Sequence, residues 1–569
     1  MNLLHTALKR NRFDFQDPVV LAKLEAMVVV VGNTLYSKNA SVLNLGIRCA
    51  AGLAKCPLKG IQKSIPVVVR QIHDILKQIG NTESDLCQTA LTSLATILRD
   101  GPPVQVKEKD LEYLLELISP DLEDQSRQAP AFALLKAIVA RKFVVPEIYD
   151  LMEKVSEISV TSQSPHVQEL CRVVLLQFLL DYPQGKGRLH NQMTFFAKNL
   201  SYVHESGRTS VMELLNAVIL KFQAALIEEY AELLFVALVM VIANDDSAKC
   251  REMAAQLIKN LWTRSDEDRK RNLLSHTHNW VSQTSRELLT SVATQVYGLI
   301  IDVAQEELSP HLSDILDALS SSLHRVTISF LASEGGEPAV DIEHSWQLPY
   351  HSLTVLFKVL SIFPKQNDNI SWKDVTELLL FPHSWVRIAA CRLLGLFFSS
   401  IPVSSPRTNF PADSPLSSSG MREVATRLTQ QLKGEHLDEA LSVQVIKNLF
   451  FIGKCFCFED PTTRQDGTED ILEPETPMEA GGDERVKTVD QPLPWLFSTL
   501  SYQIRSAHIA RTSRAVTKVR TFSYYFFDCS KIWFISPIGL GNLLLASVGL
   551  RRWHLIWNQP SWRRSSSIF

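Results

Sequence analysis

The feature that most constrains this chain is a pattern that returns about every 40 residues. With Arg48, Gln88, Arg127, Gln168, Arg208, Arg251 and Arg286 as anchors, the successive intervals are 40, 39, 41, 40, 43 and 35 residues, close to the roughly 40–47 residues of HEAT and armadillo units. Three residues after the anchors stand Ala51, Leu91, Pro130, Cys171, Val211, Ala254 and Leu289. Six or seven after them stand Ala54, Leu94, Leu134, Leu175, Leu215, Leu257 and Val292. Apolar residues at that spacing share one face of a helix, with the polar anchor beside them. Pro130 alone fits the stripe poorly.

Between these helices lie other apolar-periodic stretches, Ile65 to Ile79, Leu111 to Ile118, Val145 to Ile158 and Leu226 to Ala243, that supply an outer helix to each unit. Breakers part them at Pro57 and Gly60, Asn81 and Thr82, Gly101 to Pro103, and Pro183 with Gly185. One helix pair cannot bury both its faces, so stacked neighbours make the core continuous. The expected fold is an all-α, HEAT/armadillo-like helical-repeat solenoid wound as a superhelix, which lets 569 residues share one elongated core. The anchors then read as architecture, placed to bond carbonyls or acids of the adjoining unit.

The regular repeats are expected over 1–331. The anchor pattern returns at Trp385-Val386-Arg387, 101 residues after Arg286, an interval that fits two repeats and an insert. A Gly- and Pro-containing loop at 332–347 supplies the insert, Leu348 to Phe363 an extra helix, and 348–400 further repeats. A Pro/Ser-rich loop at 401–420 precedes a helical pair over 421–458, an acidic linker over 459–492 and an atypical tail over 493–569.

Charge gives the body no long-range pull on polyanionic partners. Lys and Arg total 58 against 61 acids, a net −3 that gives no long-range attraction to nucleic acid or anionic lipid. The imbalance is local: ten acids against Arg464 from Glu459 to Glu484, and ten bases against Asp528 from Ser501 to Phe569. The acidic stretch holds too few apolar residues to fold alone. Nine cysteines without a CxxC pair suit buried free thiols in a reducing compartment, and Met1 to Arg12 lacks the apolar run of a secretory signal.

No P-loop, strand-borne GxGxxG, GxSxG or HExxH occurs, so no residue is a candidate catalyst, no cofactor is called for and no small-molecule substrate is expected. His276 and His278 form an HxH pair without a third ligand at metal spacing, and read as part of a polar inter-helix turn. Cys455 and Cys457 read as packing. The candidate phosphate contact or import signal is Arg269, Lys270 and Arg271, with Lys9, Arg10 and Arg12 as a similar group, weighed against a solvated helix face. The uncharged run Ile532 to Leu550 is long enough to span a bilayer, but Pro537, Gly539, Gly541, Gly549 and Asn542 interrupt it, and a membrane is not the expected partner. The whole tail after Trp495 departs in composition from the body, as an alternative terminus or an incomplete gene model would.

Three stretches carry a resemblance: Leu4-His5-Thr6-Ala7-Leu8-Lys9-Arg10-Asn11-Arg12-Phe13-Asp14-Phe15, Leu45-Gly46-Ile47-Arg48-Cys49-Ala50-Ala51-Gly52-Leu53-Ala54-Lys55-Cys56-Pro57, and Phe381-Pro382-His383-Ser384-Trp385-Val386-Arg387. The chain resembles the C-terminal portion of the small subunit processome component 20 (down-regulated in metastasis) family over about residues 1–495. That resemblance implies a non-catalytic nucleolar scaffold of the pre-ribosomal particle, needed for pre-rRNA processing toward 18S rRNA, with processome proteins as partners and non-specific contact with pre-rRNA. A HEAT-repeat adaptor elsewhere, such as a transport receptor or phosphatase scaffold, and a membrane-tethered scaffold are the alternative classes.

Overall fold

Short polar side chains and prolines set where the helices begin. Asp17, Asn39, Ser84, Ser247 and Asp266 each accept a hydrogen bond from a backbone amide of the turn they cap, and Pro18, Pro146 and Pro165 open three helices where a missing N–H is harmless. The computed structural model describes residues 1–283, 285–333, 346–403, 410, 414–432, 439–459 and 495–496. The chain divides into two compact units, Met1–Phe397 and Phe398–Phe569. No strand occurs among the described residues.

The first unit is two rows of helices. One row holds α1 (Asn2–Lys9), α3 (Ala40–Leu53), α5 (Asp85–Asp100), α7 (Gln128–Ala140), α9 (Pro165–Asp181), α11 (Glu205–Lys221), α13 (Ala248–Arg264), α15 (Glu287–Ala304), α17 (Gln347–Ile362) and α19 (Ser384–Ser399). From α1 to α17 each member packs on the next. The other row holds α2 (Pro18–Thr34), α4 (Lys59–Ile79), α6 (Glu108–Ile118), α8 (Pro146–Thr161), α10 (Lys186–Asn199), α12 (Ala224–Asn244), α14 (Glu267–Val281), α16 (Leu312–Ser333) and the short α18 (Trp372–Glu377). Alternation of two rows, each helix touching the next but one, is the geometry of a HEAT/armadillo-like solenoid.

The stripe residues form its core. Ala54, Leu94, Leu134, Leu175, Leu215, Leu257 and Val292 are all buried. A close approach between rows needs a glycine: a Cβ on Gly207 of α11 would stand 2.4 Å from the Val160 carbonyl oxygen at the end of α8. The helical run Glu287–Ala332 is long and apolar enough to cross a membrane by length and composition alone, and 61% of its apolar window is buried among its neighbours, as in any core helix. In the second unit α20 (Ser418–Gln431) packs on α21 (Glu439–Glu459), with Met421, Val424 and Leu428 buried on one and Leu441, Val445 and Ile452 on the other.

Ion pairs run along the rows. Asp302 on α15 lies between Lys259 of α13 at 2.8 Å and Lys358 of α17 at 2.7 Å. Burial pushes its carboxyl up, but the two ammonium groups outweigh that and hold it below the ordinary range. Asp100 is held at about 2, by its hydrogen bond from Arg99 first, against burial and with help from Lys55. A carboxyl whose folded pKa is depressed stabilises the fold above its unfolded pKa of about 4, and that stabilisation is lost as pH falls through the folded value. The urea midpoint should therefore hold near neutrality and decline from about pH 4 toward pH 2. Asp302→Asn should flatten the decline, and an unchanged slope would remove these pairs from its cause.

Several expected segments lie mostly or in part outside the described residues: the inserted loop at 332–347, positions 404–409 and 411–413 of the Pro/Ser-rich loop at 401–420, the acidic linker at 459–492, and the tail at 493–569 with its Ile532 to Leu550 run.

Candidate functional site

The anchor position is the most regular chemical feature of the fold. Gln88 donates through Nε2 to the Thr82 carbonyl at 2.6 Å, Gln128 to Leu122 at 3.0 Å, and Gln168 to Ser162 at 2.8 Å. Arg208 donates through Nη1 to Tyr202 at 2.8 Å, Arg251 to Asp245 at 2.5 Å and Arg387 to Phe381 at 2.8 Å. In all six the acceptor lies six residues earlier, so each helix ties back the turn that leads into it.

Three anchors are thereby corrected. In the third unit the position belongs to Gln128, not Arg127; Ala131 then replaces the awkward Pro130 in the stripe, and Gln88, Gln128, Gln168 and Arg208 stand 40 residues apart. Arg48 reaches forward instead, 3.2 Å from the Thr89 hydroxyl. Arg286 is the N-cap residue of α15, and the Thr290 hydroxyl takes its place by donating to the Gln283 carbonyl at 2.7 Å.

Other anchor bonds cross between units. Arg127 donates to the Thr82 hydroxyl at 2.9 Å and lies 3.3 Å from fully buried Asp121. Gln168 also donates to the Ser206 carbonyl at 3.1 Å. Arg208 is the most enclosed of the arginine anchors: Nη2 donates to Asp245 Oδ1 at 2.8 Å, and Nε lies 2.7 Å from Oδ2 without hydrogen-bond alignment. Burial raises the Asp245 carboxyl, but the Ser247 amide and then Arg208 bring it below its ordinary range.

The basic run sits on α14 among carboxylates. Arg269 is 2.6 Å from Glu232 of α12, Lys270 is 3.0 Å from Glu267 and 3.1 Å from Glu307, and Arg271 is 3.0 Å from Asp268. Arg269 and Lys270 thus link α14 backward and forward along the row. Lys9, Arg10 and Arg12 are exposed and enter no ion pair among the described residues.

His276 and His278 lie within α14 rather than in a turn. Two residues apart on a helix they face different ways: His276 stacks on Trp280, 6.0 Å between centroids, and His278 Nδ1 lies 3.1 Å from the Tyr297 hydroxyl. No group of three metal-ligating side chains occurs among the described residues. Cys49, Cys56, Cys87, Cys171, Cys250, Cys391 and Cys455 are buried and form no disulfide among the described residues; burial raises Cys171 to about 12 and Cys56 and Cys87 to about 11, which disfavours the reactive thiolate.

One feature escaped the sequence reading. A groove lined by Asp150, Glu153 and Glu157 of α8, with Phe195 of α10, opens beside Gln128. The spacing of the three acids, three and then four residues, marks one helix face and was the available signal; the opposing wall comes from a helix some 40 residues on.

No family model matches the chain. Sequence comparison bears out the resemblance read from the quoted stretches. The chain is 32% identical over 443 residues to U3 small nucleolar RNA-associated protein 20 of Schizosaccharomyces pombe, covering 76% of this chain. It is 30% identical over 455 residues to the Saccharomyces cerevisiae protein of the same name, covering 79%. It spans 17% of the length of each of these relatives. Among solved structures, importin beta is similar over 77% of this chain and 53% of its own, with a TM-score of 0.34 and 11% identity. An engineered protein is similar over 75% of this chain and 98% of its own, with a TM-score of 0.30 and 15% identity. The fold assignment rests on the two helix rows, not on these likenesses.

Proposed function

We propose that this chain is a non-catalytic scaffold segment of the small-subunit processome, serving pre-rRNA processing toward 18S rRNA in the nucleolus. The observation that carries the reading is the similarity over 76–79% of the chain to two yeast proteins named for association with U3 small nucleolar RNA. The architecture supports it: the regularly placed polar groups hold turns and link repeats, and of the two histidines in the HxH pair His276 stacks on Trp280 while His278 meets the Tyr297 hydroxyl. Its partners on this reading are processome proteins and the pre-ribosomal particle, with non-specific contact to pre-rRNA.

Purification of the tagged chain with identification of its proteins and RNAs tests this. The expected result is enrichment of pre-rRNA and processome proteins from nucleoli. Nuclear-pore or phosphatase components in their place would favour an adaptor elsewhere, and retention on membranes after carbonate extraction would favour a tethered scaffold.

Phosphate contact by Arg269, Lys270 and Arg271 remains a proposal with a built-in competitor, since a phosphate must displace the carboxylates already beside them. Lys9, Arg10 and Arg12 have no such competitor among the described residues. Binding of single-stranded RNA should be weak and steeply salt-dependent, each lost phosphate contact lowering the salt slope by about 1. In a salt series, Lys9/Arg10/Arg12→Ala should reduce it more than Arg269/Lys270/Arg271→Ala. The reverse order would show that the α14 run meets phosphate despite its pairing.

A further inference from the structure

The groove between α8 and α10 has a volume of about 810 Å3, and its charged lining is four carboxylates against Lys154 alone. Asp150, Glu153 and Glu157 stand along one wall, all exposed, and none enters an ion pair among the described residues. A fourth carboxylate, Glu123, is matched by Lys154 at 2.8 Å, so three negative charges are left without a counter-charge. Thr161 and Asn199, the last residues of α8 and α10, also line the groove. The carbonyl ends of two helices therefore add to the same negative field.

Gln128 places a hydrogen-bond acceptor at the same groove. It is only 6% exposed and lines the groove, its Nε2 is held by the Leu122 carbonyl at 3.0 Å, and its Oε1 accepts no hydrogen bond from the described residues. Anchored by its nitrogen, the amide leaves its oxygen as an open acceptor beside the groove. Ile158 and Phe195 provide an apolar surface in the same groove.

These features select among ligand classes. Phosphate and carboxylate guests are repelled. A single metal ion needs its oxygens within about 2.6 Å, whereas Asp150 to Glu157 spans about 10 Å of helix at 1.5 Å per residue. An extended peptide covers that length with roughly three residues. We propose that the groove binds an Arg/Lys-rich segment of a partner protein, its cations along the α8 carboxylates and Gln128, and one apolar side chain against Ile158 and Phe195. This does not depend on the processome reading, because any protein carrying such a segment meets the same chemistry.

The test is fluorescence anisotropy on the full chain with a labelled Lys-Arg-Leu-Lys-Arg-Leu-Lys peptide. Binding is expected, and the Glu153→Gln/Glu157→Gln variant should weaken it roughly five- to tenfold, given up to about 1 kcal/mol per exposed charge pair. Glu228→Gln/Glu252→Gln, which removes the same charge elsewhere, should change it less than about twofold. Replacing both leucines of the peptide by glycine should also weaken binding. Circular dichroism should match across the variants, since Glu153 and Glu157 are exposed and unpaired. Absence of binding, equal loss in the two double variants, or indifference to the leucines would overturn the proposal.

Discussion

Arg208→Ala should destabilise the solenoid by about 3–5 kcal/mol, the usual effect of removing one partner from a buried ion pair. The side chains of Arg208 and Asp245 are 9% and 4% exposed. Alanine would leave a buried carboxylate without its guanidinium and release the Tyr202 and Val203 carbonyls that Arg208 ties back. Asp245 would also lose one of the contacts that lower its pKa, so less of the variant's stability should be lost as pH falls below about 4 than of the parent's. Lysine cannot reproduce the guanidinium's spread of donors and should rescue only part of the loss. Arg208→Met/Asp245→Leu, by contrast, removes both charges and should recover much of it. Urea unfolding followed by circular dichroism measures all three variants against the parent. A single variant within about 0.5 kcal/mol of the parent would mean that the pair is hydrated and its burial overstated.

Leu175→Asp should have an effect at least as large, roughly 5 kcal/mol or more, from a lost apolar side chain plus a carboxylate placed where nothing can pair with it. Leu175 is fully buried on α9, which packs against α7, α8 and α11. Because each unit supports its neighbours on both sides, the loss should spread along the row rather than stay in one helix. Trypsin should then cut within the repeats of the variant. Val203→Asp, at a side chain 83% exposed, should stay within about 0.5 kcal/mol. A soluble, fully helical Leu175→Asp protein with an unchanged urea midpoint would contradict the assignment of this stripe to the core.

The stripe was legible because burial selects residue type at a helical period, and all seven residues from Ala54 to Val292 are buried. The polar anchor was less so. Arg127 and Gln128 are adjacent and both polar, and which of them faces the preceding turn follows from backbone geometry. Arg48 and Arg286 matched the period by residue type without occupying the equivalent place. The pairing of Arg269 and Lys270 was hidden for a different reason: Glu232 and Glu307 each lie 37 residues away along the chain. The groove was half visible, since one face of α8 shows its acids in sequence while Phe195 reaches the site only through stacking.

The six-residue bond from helix to preceding turn has a consequence for how such a chain can lengthen. Donor and acceptor lie inside the same unit, so a duplicated block of one whole period carries both, and the new turn is closed on arrival without help from flanking sequence. A block one residue longer or shorter would displace the apolar stripe about 100° around its helix. Growth by copying is thus permitted only in complete steps, and the spacing of 40 residues from Gln88 through Gln128 and Gln168 to Arg208 is the kind of imprint that copying leaves. The link from Arg208 to Asp245 lies across units, so a newly copied neighbour must diverge to acquire it. Repetition supplies the architecture of each turn, and later substitution supplies the individuality of each junction.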